Sequence, residues 1–193
     1  MIQLFWLRTD LRVADNTALS QALSNGPTVA VYLITPQQWL AHDDAPCKVD
    51  FWLRNLACLR EQLGKLNIPL LIRNCADWQQ APVTLLQLSQ QIGAGAVHCN
   101  AEYGIHETRR DRACSSLLEP QGIAFTAHFD QLLLKPGSVL TQSGNYFQVF
   151  SQFRKVCYQR LHLSLPACLP YPTAQASLPV SSDELPAGVS EFA

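Results

Sequence analysis

Residues 5–19 read FWLRTDLRVADNTAL. An apolar run at residues 2–6 feeds the charged loop Arg8-Thr9-Asp10-Leu11-Arg12, and a helix opens at Asp15-Asn16. Asp15 is read as its N-cap, because a short side-chain oxygen can accept from the unpaired N–H groups of the first turn. Ala18, Leu19, Ala22 and Leu23 then share one helical face. A buried strand, a dense charged loop and an amphipathic helix make one β–α unit, and the loop sits where a ligand would meet the sheet.

The same alternation continues downstream. Further short apolar runs fall at 28–34, 69–72, 96–99 and 123–126, and the first strand centres on 4–6. Such nearly continuous apolar runs suit strands buried on both faces of a parallel sheet. Helical patterns lie between them: about 47–66, with Val49, Leu53, Leu56, Leu59, Leu63 and Leu66 in register; from Pro82 to just before Gly93; and 105–118. Strands alternating with helices imply right-handed crossovers. The expected fold is therefore α/β: a doubly wound, Rossmann-like, five-stranded parallel sheet with helices on both faces. Residues 1–130 form this domain, 131–163 an extension with a helix over 146–161 that packs on it, and 164–193 a proline-rich linker. A linker in that place leads to the expectation that another domain follows.

Composition narrows the function. The 193 residues suffice for one solid core. A net charge of −1 argues against gripping nucleic acid directly, since that affinity comes mainly from clustered Lys and Arg. Seven cysteines without a Cys-x-x-Cys pair read as reduced thiols of a cytoplasmic protein. Arg8 and Asp10 interrupt the N-terminal apolar run, so it is no signal peptide, and no stretch approaches membrane-spanning length.

Ligands of doubly wound sheets bind beyond the carboxyl ends of the strands, where the loop 8–12 and the segments 35–44 and 100–107 lie. Arg8, Asp10 and Arg12 are either ligand contacts or an internal clamp, and residue chemistry favours the clamp because buried charges need partners. His106-Glu107 opens a helix, where an acid complements the dipole; beside Tyr103 the carboxylate could instead bind the N–H groups of a planar heterocycle. The residues alone favour the dipole reading. His42 is an ordinary loop histidine unless it flanks a cleft with Trp39. Arg109, Arg110 and Arg112 read as a solvated face paired with Glu107 and Asp111. Gly93-Ala94-Gly95 precedes a strand, whereas a dinucleotide fingerprint follows one. The histidines show no metal spacing, and no nucleophile signature occurs.

The opening stretch resembles that of the DNA photolyase/cryptochrome family, W-F-R-x-D-L-R-x-x-D-N-x-A-L, with Leu7 standing for the usual Phe. Thr35-Pro36-Gln37-Gln38-Trp39 with His42 is similar to the loop after the second strand in bacterial members. Glu102-Tyr103, Glu107 and Arg110-Asp111 resemble E-Y-x-x-x-E-x-x-R-D. Residues 146–153, YFQVFSQF, resemble Y-x-V-F-T-P-F with Ser-Gln replacing Thr-Pro, and Cys157 stands where Trp is frequent. The resemblance implies the N-terminal light-harvesting domain of a cyclobutane pyrimidine dimer photolyase, whose separate helical domain holds FAD and the damaged DNA. It further implies an antenna chromophore, methenyltetrahydrofolate first and deazaflavin or flavin as alternatives. His42, His106 and Glu107 match folate contacts, with His106 replacing the usual Asn. Arg8 and Asp10 match the deeper loop used by flavin-like antennas. No catalytic residue or metal ligand is expected in this chain, which is expected to be inactive and monomeric, with no membrane contact and weak or no folate binding by itself. Two alternatives stand beside this reading: the same domain of a cryptochrome photoreceptor, and a free-standing nucleotide-binding α/β domain.

Overall fold

A computed structural model describes residues 1–192. Five parallel strands, β1 (Ile2–Leu7), β2 (Thr28–Ile34), β3 (Leu70–Asn74), β4 (Ala94–Asn100) and β5 (Ala124–His128), form one sheet in the order β3-β2-β1-β4-β5. The winding reverses between β1 and β4, so the expected doubly wound sheet is present and its switch point lies beside the Arg8 loop. Alternating strand residues feed two cores. Phe5, Leu7, Ala30 and Tyr32 pack on one face against helices α1 (Thr17–Asn25) and α3 (Pro46–Lys65). Leu4, Trp6, Val29 and Val31 pack on the other against α4 (Ala81–Ile92) and α5 (Ile105–Leu118). The α3 stripe buries Val49, Leu56, Leu59 and Leu63. Gly93 ends α4 in the left-handed conformation that glycine adopts without steric cost.

Three local readings change. Asn16, not Asp15, caps α1: its side chain accepts from Leu19 N–H at 3.0 Å, while Asp15 sits one residue outside with φ of 49° and accepts from Leu169 N–H. Asn16 prevails because its amide also donates to Asp10, which a carboxylate could not do. Residues 36–41 form a short helix, α2 (Pro36–Ala41), started by a proline at its first turn. The last helix, α6 (Phe150–Leu163), begins four residues later than expected and buries no residue.

The segment after α6 holds little regular structure, yet it is bound to the domain. Gln175 donates to the carbonyls of Thr28 and Asn67. Ser182 Oγ accepts from Leu70 N–H at 3.0 Å, Asp183 N–H donates to the Leu70 carbonyl, and the Asp183 carboxylate accepts from Ile72 N–H at 2.8 Å and Arg73 Nη1 at 2.6 Å. These groups satisfy the unpaired edge of β3, which would otherwise be open to strand addition. Leu178 and Val180 pack on one core, and Leu185, Val189 and Phe192 on the other, so the strap folds over the sheet edge from face to face. A proline-rich composition hid this, because the strap works through side chains and not through a periodic apolar pattern.

At the other side, His98 on β4 and His128 on β5 stack with ring centroids 5.2 Å apart. His98 Nε2 donates to Gln3 Oε1, leaving Nδ1 to accept from His128 Nε2 at 2.9 Å. Both rings are held neutral, and burial with His98 alongside pushes His128 down to about 4. Among the described residues no helix is long and apolar enough to cross a membrane.

Two measurements check these features. Asp183→Ala should lower the unfolding free energy by about 1 kcal/mol in urea titrations, the usual net worth of such hydrogen bonds. The unfolded chain titrates His128 at the ordinary 6.5, so it binds the proton before the folded chain does. Stability should be full above that pH and fall as pH drops toward about 4; thermal unfolding should show this slope, and it should flatten in His128→Gln.

Candidate functional site: an aromatic cavity at the switch point

The carboxyl end of β1 carries Trp6, Arg8 and Asp10 into the loop that the sequence singled out. Asp10 is buried and saturated: it accepts from Arg8 N–H at 3.0 Å, Asn16 Nδ2 at 3.2 Å and Asn100 Nδ2 at 2.6 Å. Asn100, the last residue of β4, also accepts from Ala18 N–H at 2.9 Å, and Asp130 accepts from Thr17 N–H at 2.9 Å while pairing with Arg12. With Asn16 on Leu19 N–H, the opening turn of α1 is satisfied by side chains. A helix N-terminus is the usual phosphate seat in nucleotide-binding α/β folds, and here it is filled.

Arg8 turns the other way. Its guanidinium lies over the Trp6 ring, 5.0 Å from the centroid, pairs with Asp111 at 2.6 Å and donates to the Asn100 carbonyl. Its Nε is buried and makes no hydrogen bond; Glu102 Oε2 lies 3.5 Å away, within ion-pair range but outside hydrogen-bond geometry. Arg110 occupies the neighbouring position. Its guanidinium sits between Trp6 and Trp78, at 4.8 and 4.7 Å, and bonds Glu102 and Asp111, each at 2.9 Å. Burial would raise the Glu102 carboxyl, but Arg8, Arg110 and the Thr9 hydroxyl outweigh it and hold it below the usual range. Two guanidinium groups and two carboxylates thus form a paired, rigid floor.

Above this floor is a cavity of about 170 Å³, walled by Tyr32, Trp39, Trp52 and Trp78 and reached by Arg8, His42 and Glu107. The Trp39 and Trp52 rings pack at 5.3 Å. His42 stands edge-on to Trp78 at 5.4 Å and to His106 at 5.9 Å. The Glu107 carboxylate folds over Gly104, where an added Cβ would lie 2.0 Å from its Oε2.

The structure therefore brings Arg8, His42 and Glu107 to one cavity, sets His106 at its rim, and places Asp10 in the clamp behind it. Arg110 does not lie on a solvated face; it is buried beneath the cavity, because Trp6 and Trp78 receive its faces and Glu102 and Asp111 its charge. Tyr103 is exposed and lies outside the lining. Trp6, Trp52 and Trp78 were not anticipated as site residues. Their signal was available: the chain has four tryptophans, and Trp6 and Trp78 lie at or just beyond the carboxyl ends of strands.

The DNA photolyase family profile matches residues 3–173. This chain belongs to that family. A photolyase of Vibrio cholerae is 43% identical over 155 residues, 80% of this chain and 33% of its own length. One from Salmonella typhimurium is 31% identical over 189 residues, 97% of this chain and 40% of its own. The solved structure of a Synechocystis cryptochrome superposes with a TM-score of 0.80 at 26% identity, covering all of this chain and 40% of that one. The chain thus spans a third to two fifths of the length of these photolyase relatives.

Asp10→Ala leaves the Arg8 backbone N–H without its acceptor and strips one acceptor each from the Asn16 and Asn100 amides, which keep their bonds to the Arg12 carbonyl and to Asn16 Oδ1. It should destabilise the domain by roughly 3 kcal/mol in chemical denaturation, from a desolvated donor left unpaired and two further hydrogen bonds lost.

Proposed function

We propose that the chain is the light-harvesting unit of a deoxyribodipyrimidine photolyase, holding an antenna chromophore in the cavity at the switch point. The observation that carries this is the cavity itself: aromatic walls, a neutralised floor, and at its edge the Glu107 carboxylate, which has no hydrogen-bond or ion-pair partner among the described residues. Such a site suits a planar heterocycle with polar edges. The charges of its floor are internally spent, so the site is suited to bind and orient a ligand.

The aromatic walls fix the plane of the ring and exclude water. Glu107 accepts from ring N–H groups, and His42 and His106 close the rim. Small-molecule sites usually enclose about 300–1,000 Å³, more than this cavity's 170 Å³. Glu107 favours the pterin edge of methenyltetrahydrofolate, whose N3–H and 2-amino group offer two adjacent donors to a carboxylate where a flavin or deazaflavin offers one, and the remainder of the molecule would lie outside, covered by another domain. Bound there, the chromophore supplies absorption in the near-UV and blue, where protein side chains have none, and passes excitation to FAD. In this reading FAD and the dimer-containing DNA belong to a helical domain, which agrees with the balanced charge of this chain. The cryptochrome reading shares this architecture, as the Synechocystis structure illustrates. The photolyase relatives and the 35–42 loop favour repair. A free-standing nucleotide-binding domain is disfavoured by the filled N-terminus of α1.

The chain alone should bind methenyltetrahydrofolate weakly but saturably, as read by equilibrium dialysis. Glu107→Gln should weaken that binding about tenfold, the scale of a lost charge-assisted hydrogen bond. Unchanged affinity would place the heterocycle elsewhere.

A further inference from the structure

All four tryptophans of the chain, Trp6, Trp39, Trp52 and Trp78, line the one cavity. They come from separate places: the end of β1, α2, α3 and the segment between β3 and α4. No tryptophan is left for the rest of either core, which is built mainly from aliphatic side chains with Phe5, Tyr32 and three buried cysteines. Trp39 and Trp52 are in ring contact at 5.3 Å, and Trp6 and Trp78 share the Arg110 guanidinium. A ligand in the cavity would have every indole of the domain within contact range or one ring away.

We propose that these four indoles are a short-wavelength antenna for the chromophore held in the cavity, a role that rests on the chromophore reading above. Indole absorbs in the UV-B and emits in the near-UV, where a conjugated pterin or flavin absorbs. Resonance transfer between such a pair falls steeply with distance and is close to complete at contact. Light of the band that damages DNA would then feed the same pocket as near-UV light. The arrangement widens the action spectrum without a second ligand. The guanidinium contacts of Trp6 and Trp78 favour indole in their own right; a wall such as Trp39 needs only an aromatic face, which phenylalanine or tyrosine could also supply.

The test uses this chain with methenyltetrahydrofolate as probe. Bound ligand is counted by equilibrium dialysis, and the excitation spectrum of ligand emission is recorded together with the indole emission lifetime. The expected result is an indole band in the ligand's excitation spectrum and a shortened indole lifetime, both scaling with bound ligand. In Trp52→Phe/Trp78→Phe, the band per bound ligand should shrink to the share of the two indoles that remain, while direct excitation of the ligand is unaffected. Ligand bound without an indole band, or a band undiminished in the double variant, overturns the indole antenna and leaves the chromophore reading standing. Absence of any binding overturns the placement of methenyltetrahydrofolate in this cavity, and the indole antenna for it as well.

Discussion

The Asp10 carboxylate is the constraint on which the switch point depends. It is the common acceptor for the β1 loop, the cap of α1 and the last residue of β4. The β1 loop and α1, neighbours in the chain, are therefore fixed to the end of β4, 90 positions from Asp10. A buried carboxylate is costly unless every lone pair finds a donor. Two asparagine amides and a backbone N–H meet that need without bringing in an opposing charge. The arginines on either side are thereby free for other work: Arg12 pairs with Asp130, and Arg8 turns to the cavity.

That division explains why so many charges can lie under an aromatic pocket. Arg8, Arg110, Glu102 and Asp111 neutralise one another, and the guanidinium planes lie against Trp6 and Trp78. Lysine could not replace them, since a compact ammonium lacks both the planar face and the fork. The floor is thus rigid and polar inside while presenting a mostly aromatic surface to whatever enters.

Much of the fold was legible in the sequence. The inner strands announced themselves as apolar runs because both faces of the sheet are covered there, whereas the edge strand β5 is largely exposed, and α3 showed its stripe because only one of its faces is covered. The candidate site was legible in part. His42 and Glu107 could be placed at strand ends by topology, and Asp10 could be read as a clamp because burial demands partners. Arg110 could not, since its neighbours on the helix suggested solvent and its actual partners, Trp6 and Trp78, lie 104 and 32 positions away. The cap was read as Asp15 and is Asn16, because the position calls for an amide that donates as well as accepts, a requirement visible only once Asp10 and Asn100 are side by side. The strap was hidden for a similar reason, since Ser182 and Asp183 stand in for strand backbone by their side chains.

The strap has a bearing on how such proteins can be taken apart. Its last apolar residue, Phe192, packs edge-on against Trp39 at 6.0 Å, and Trp39 is a wall of the cavity. The segment that composition marks as a tether is thus an outer buttress of the pocket. A chimera joined at the end of α6 would exchange that buttress and would loosen Trp39 even if every cavity residue were retained. The seam at which this domain can be recombined as a unit lies beyond the strap, on the far side of Phe192.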